Sequence, residues 1–110
     1  MRTFTKQPWE LFDYDIELED YFDERDDQDY LVDIAATSVP PFGALPEIEL
    51  GPDPLPDTQF LPGRGGLLRR GKVWIGGGLD KIDYIITCKI TTFLGRQEEL
   101  EFKIRVRETP

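Results

Sequence analysis

Two segments of this chain alternate apolar and charged residues one for one, and no other feature limits its fold as much. Phe12, Tyr14, Ile16 and Leu18 alternate with Asp13, Asp15, Glu17 and Glu19. Leu100, Phe102, Ile104 and Val106 alternate with Glu101, Lys103, Arg105 and Arg107. A period of two belongs to a strand with one face buried and one face wet. On a helix of 3.6 residues per turn the same apolar positions would scatter around the axis. A third segment places Ile82, Tyr84, Ile86, Cys88 and Ile90 on one face and Asp83, Ile85, Thr87, Lys89 and Thr91 on the other. β-Branched residues on both faces suit a strand well. Weaker patterns predict strands at residues 31–39, 47–50 and 68–75. No window sustains a helical period, so any helix is short and falls within residues 19–28.

The turns are equally legible. Gly76-Gly77-Gly78 ends one strand at a corner, and Leu94-Gly95-Arg96 joins the last two strands as a hairpin. Residues 40–66 differ from the rest, with Pro40, Pro41, Pro46, Pro52, Pro54, Pro56 and Pro62 interspersed with five glycines. Proline fixes φ and donates no ladder hydrogen bond, so this stretch is excluded from the centre of a sheet. It is expected as a long extended connection or arm with one edge strand near Ile48. The chain of 110 residues is the size of one domain, residues 1–110. Several strands, a terminal hairpin and a long crossover predict an all-β, immunoglobulin-like Greek-key sandwich of about seven strands with a long Pro-rich connection. Asp80-Lys81-Ile82-Asp83-Tyr84 opens the strongest strand after a glycine corner. That spacing resembles the tyrosine corner of such sandwiches, with Trp74 packed beneath Tyr84; the alternative is a plain core aromatic at Tyr84.

Charge narrows the partners. The net charge is −9, which repels nucleic acid and anionic membrane. Acids dominate from Glu10 to Asp33, while bases gather after Arg64, so the two halves attract each other within one molecule or between copies. Cys88 is the only cysteine, which fits synthesis in a reducing cytosol. The opening residues lack the apolar run of a signal peptide, and no stretch approaches the ~20 apolar residues of a membrane helix.

Catalytic chemistry is poorly supplied. The chain has no histidine and a single serine, Ser38, which removes the usual general base and the Ser-His and Cys-His pairs. Cys88 falls on the inner face of a strand, where it acts as a small hydrophobe. No cofactor fingerprint is present: Gly76-Gly77-Gly78 leads to no helix and no lysine-serine pair. Asp20, Asp23, Glu24, Asp26, Asp27 and Asp29 offer enough oxygens for calcium, but they lack the spacing and the glycine of an EF-hand loop. They are expected to be a solvated loop that meets a basic partner. Gly63-Arg64-Gly65-Gly66 followed by Arg69 and Arg70 is expected as a turn flanked by interface arginines rather than an RNA-binding segment. Phe42, Leu45, Leu55, Phe60 and Leu61 give the Pro-rich arm apolar anchors for a neighbouring subunit, the plainer reading being a surface loop. Trp74, Asp80 and Tyr84 are assigned structural roles.

Three segments carry a family resemblance. They are Thr3-Phe4-Thr5-Lys6-Gln7-Pro8, Lys72-Val73-Trp74-Ile75-Gly76-Gly77-Gly78-Leu79-Asp80, and residues 84–92 continuing through Gly95-Arg96 to Val106. Together they resemble small tailed-bacteriophage virion proteins of the fiber-tail adaptor type. The resemblance implies an immunoglobulin-like fold and a structural place at the neck or tail, joining fibers or tailspikes to the tail in multiple copies. The protein would then be made in the bacterial host cytoplasm and carried in the virion. Its partners would be tail, neck, fiber or tailspike proteins. The alternatives are a decoration (cement) protein on the major capsid protein, and a carbohydrate- or receptor-binding module with Trp9 or Tyr21 as its platform.

Overall fold

The computed structural model describes residues 2–18, 28–40, 42, 48–51, 56–62 and 66–108. They form eight strands: β1 (Arg2–Lys6), β2 (Phe12–Glu17), β3 (Leu31–Val39), β4 (Ile48–Leu50), β5 (Thr58–Pro62), β6 (Leu68–Gly77), β7 (Asp83–Thr92) and β8 (Gln97–Val106). No α-helix occurs among the described residues. One sheet has the order β1-β8-β7-β3; the other has β2-β6-β4, with β5 also paired to β6. The chain passes between the sheets after β1, β2, β3 and β6, so consecutive strands interleave as in an immunoglobulin-like Greek key.

Alternation explains the core. Tyr14, Ile16, Val73, Ile75 and Ile48 from one sheet meet Leu31, Ile34, Ile86, Cys88, Ile90, Phe102, Ile104 and Val106 from the other. β7 buries every second residue from Tyr84 to Thr92, the inner face expected from its sequence. Burying side chains of this kind stabilises by roughly 1.5–3 kcal/mol each. Gly71 sits where the sheets approach closely: a Cβ there would lie 2.6 Å from Cδ1 of Ile34.

Two strands escape the sequence pattern. β1 carries one apolar residue, Phe4, and is secured by parallel pairing with β8, Arg2 opposite Phe102 through Lys6 opposite Val106. β5 lies inside the Pro-rich stretch and pairs antiparallel with β6. β4 and β5 occupy successive lengths of one edge of β6, Ile48–Leu50 against 75–77 and Thr58–Pro62 against 68–73. Proline is compatible with that edge, where a missing donor faces away from the ladder. The backbone of Trp74 closes the break between them: its carbonyl accepts from Gly51 N at 2.8 Å and its amide donates to Asp57 O at 3.2 Å. Gly51 has φ +57°, and a Cβ on it would lie 2.6 Å from the Asp57 backbone.

Phe12 departs from its expected inner position. It is 43% exposed at the rim, because β2 begins there, opposite Ile75 near the end of β6. Trp74 does not pack beneath Tyr84. With Val73 and Ile75 facing the core, the pleat turns Trp74 outward, where Nε1 donates to Gln59 Oε1 at 3.3 Å.

Candidate interaction surface

One end of the sandwich gathers the start of β3, the β7–β8 turn and the start of β6. Asp29 ties them together. Its Oδ1 accepts from the amides of Tyr30 at 2.9 Å and Leu94 at 3.0 Å, and its Oδ2 from Arg96 Nη1 at 2.8 Å. Arg69 Nε donates to the Asp29 carbonyl at 3.2 Å. Burial alone would raise the carboxyl's pKa. Hydrogen bonds from Thr92, the Leu94 amide, Arg96 and the Tyr30 amide outweigh that and hold it below the ordinary carboxylate range. The sequence grouped Asp29 with acids that face a partner; the structure instead makes it a fully buried rivet, 0% exposed.

The same rivet presents an apolar tip. Phe93 N donates to Tyr30 O at 2.9 Å, and the two rings stack with centroids 4.8 Å apart. Phe93 is 60% exposed and Leu94 50%, with Val32 also exposed nearby on β3. Gly95, at φ +89°, lets the turn close through its amide to Thr92 O. Hairpin turns favour polar residues, so an adjacent Phe-Leu pair at the tip was the signal available in the sequence. The acidic run is bracketed by two buried residues of this end, Leu18 and Asp29. Asp20, Asp23, Glu24, Asp26 and Asp27 themselves lie outside the described residues, as do Leu45, Leu55, Arg64 and Tyr21.

The other expected interface residues are dispersed. Arg69 is buried beneath the rivet, and Arg70 is half-buried two positions into β6. Phe42 and Phe60 pack against this chain's own core, and Leu61 is half-buried on β5. Several of the described acids and bases pair within the molecule: Asp29 with Arg96, Asp13 and Asp15 with Lys72, and Asp83 with Arg107.

The opposite end is closed by different means. The Tyr84 hydroxyl accepts from Leu79 N at 2.9 Å, the hydrogen bond of a tyrosine corner. Asp80 Oδ1 accepts from Glu108 N at 2.7 Å. Lys6, 1% exposed, donates from Nζ to the carbonyls of Gln7 and Gly77 and so joins β1 to the end of β6. Burial lowers its pKa to about 8, against a smaller opposing pull from Glu10. Trp9 stands out beside this end, 81% exposed, with Nε1 bonded to Gln7 Oε1 at 2.7 Å.

Reactive groups are few. The Cys88 thiol is buried and pushed up to about 11 by desolvation, which suppresses the thiolate. Among the described residues no group of three His, Cys, Asp or Glu side chains is placed to hold a metal ion.

Comparison with known families names the context. Residues 6–105 match the family described as podophage GP4 fiber-tail adaptor protein gp77, all but five residues at either end. No curated protein matches the chain. Of the readings open from sequence, the family selects the adaptor, a component of the virion that binds other virion proteins. The chain belongs to the podophage fiber-tail adaptor family and is a structural protein of the phage tail.

Proposed function

We propose that the protein joins fibers or tailspikes to the tail through the end of the sandwich riveted by Asp29. The acidic segment 20–27 meets a basic surface on one partner, and Phe93 and Leu94 enter an apolar recess beside it. The observation that carries this reading is the exposed apolar tip held rigid by a buried, fully hydrogen-bonded carboxylate. Presenting contacts from a rigid base lowers the ordering cost of binding, and a charged rim beside an apolar centre gives both steering and affinity. The Pro-rich stretch supplies a second contact through Leu45 and Leu55, since Phe42 and Phe60 are already engaged with the core.

In this reading residues 1–110 act as one unit, present in multiple copies and made in the host cytoplasm. The unit takes part in no catalysis and binds neither nucleic acid nor membrane. A chain with net charge −9 and no histidine supports those exclusions. Joint reversal of Asp23, Asp26 and Asp27 to lysine tests the docking surface. The variant should fold with an unchanged melting temperature, yet enter tails several-fold less well, as quantified by immunoblot of purified particles. Incorporation at the wild-type level would remove the acidic segment from the interface.

A further inference from the structure

Among the described residues the two sheets leave one side of the sandwich open. Among the described residues β1 is paired only with β8, and β2 only with β6. The outer edges of β1 and β2 therefore lie side by side with no strand between them. Between them runs a groove of about 400 Å³ lined by Phe4, Phe12 and Tyr14 with Arg2, Asp13 and Asp15 at its lips. A second hollow of about 200 Å³ continues inward along Phe4, Tyr14, Leu100 and Phe102. Its floor is a cluster of rings: Phe4 meets Tyr14 at 5.0 Å and Phe102 at 5.7 Å, and Tyr14 stacks on Phe102 at 5.5 Å.

Tyr14 shows that this floor is incomplete. It is 6% exposed, and its hydroxyl is buried with no hydrogen-bond partner among the described residues. A buried hydroxyl left unpaired costs about 1–3 kcal/mol, so native structures rarely keep one without use. Among the described residues the outer β2 edge likewise presents about 20 Å of unpaired backbone, at 3.4 Å per residue.

We infer that this seam accepts an extended strand from a different virion protein, which pairs with β2 and brings an acceptor to the Tyr14 hydroxyl and a basic side chain to Asp15. Charge chooses this occupant over a second copy. Asp13 and Asp15 share one ammonium, that of Lys72, so the β2 lip itself keeps a surplus negative charge, while Arg2 on the opposite lip lies over the Phe4 ring at 4.9 Å. Pairing β2 with its own copy would set these acids beside like charges, which is destabilising. A basic strand relieves that surplus, while alternate apolar residues enter the ring-lined groove, as in strand addition to other open sheets. The inference rests on the adaptor reading and adds a second contact on another face.

Amide hydrogen exchange of the free protein and of purified particles tests both surfaces together. The β2 amides directed away from β6 should exchange at least about tenfold more slowly in particles. Unchanged β2 exchange with protection at 19–30 and 93–96 would overturn the strand site and leave the docking end standing. Protection of β2 alone would do the reverse. Free protein that dimerises with protection confined to β2 would also overturn the inference, by making the occupant a second copy. Tyr14→Phe supplies an independent check. It should leave the melting temperature of the free protein unchanged or higher, yet cut incorporation into particles roughly tenfold, the worth of one buried hydrogen bond. A Tyr14→Phe protein that loses stability and assembles normally would show a purely internal role.

Discussion

Each end of the sandwich is closed by one buried charge, and the two charges are treated in opposite ways. At the docking end Asp29 receives two backbone amides, an arginine and a threonine hydroxyl, and its pKa falls despite complete burial. At the other end Lys6 donates only to backbone carbonyls, and its pKa falls to about 8 because burial dominates. For a carboxylate a lowered pKa means that the charged form is favoured in the folded state. For an ammonium it means the reverse. Asp29 is therefore a net source of stability, whereas Lys6 fastens β1 to β6 at a cost in desolvation. The favourable charge sits at the end proposed to dock, where it holds the β7–β8 turn in place.

The sharpest way to break that comparison is to remove Asp29. Asp29→Ala should cost about 3 kcal/mol, the lower part of the range for orphaning one partner of a buried pair, because Arg96 retains some solvent. The measurement is urea unfolding of the isolated protein. pH resolves the same group. Its folded pKa lies below the ordinary 3.8 of an aspartate, so its contribution is complete above that value and is lost as the pH falls through the folded pKa. Asp29→Asn should flatten the acid limb of the stability curve. If the limb keeps its slope, other carboxylates drive acid unfolding and the rivet is ordinary.

Lys6 predicts the opposite sign at the opposite end of the pH scale. Its pKa is about 8 in the folded protein against the ordinary 10.5 of a lysine, so the unfolded chain binds more protons between those values. Stability should therefore rise with pH across that window, by at most roughly 3.4 kcal/mol at 1.36 kcal/mol per unit. Lys6→Met should abolish the rise while changing stability at neutral pH by only about 1 kcal/mol, since it trades a desolvation cost for two carbonyls without donors. Unfolding of both proteins at pH 7, 8.5 and 10 decides the matter. Parallel curves would mean that Lys6 reaches water in solution.

How far the sequence could be read depended on where each residue's stabilisation comes from. β2, β3, β6, β7 and β8 carry their burial in their own alternation or β-branched content, and their positions followed from it. Tyr84 belonged to a local spacing, and its bond to Leu79 lies five residues away. β1 and β5 owe their form to partners about 100 and 10 residues distant, Val106 for Lys6 and Arg70 for Leu61, and no local pattern announces such pairing. Asp29 was legible as an acid in an acidic run but not as a rivet, because its partners Leu94 and Arg96 are reached only once the sandwich is assembled. Trp74 misled for a simpler reason: an aromatic suggests the core, yet its flanking Val73 and Ile75 had already claimed the inward positions.

The smallest expected effect concerns the corner itself and separates local closure from the rest of that end. Tyr84→Phe keeps the ring, which is buried in the core, and removes only the acceptor for Leu79 N. The loss should be about 1 kcal/mol, the net worth of one hydrogen bond, because the exposed loop at Leu79 lets water replace the hydroxyl. It should also be additive with Lys6→Met if the two fastenings act independently. A combined loss well above the sum would mean that the corner and the Lys6 bridge form one cooperative closure. The end away from the docking surface would then be held by a single network rather than by two separate ties.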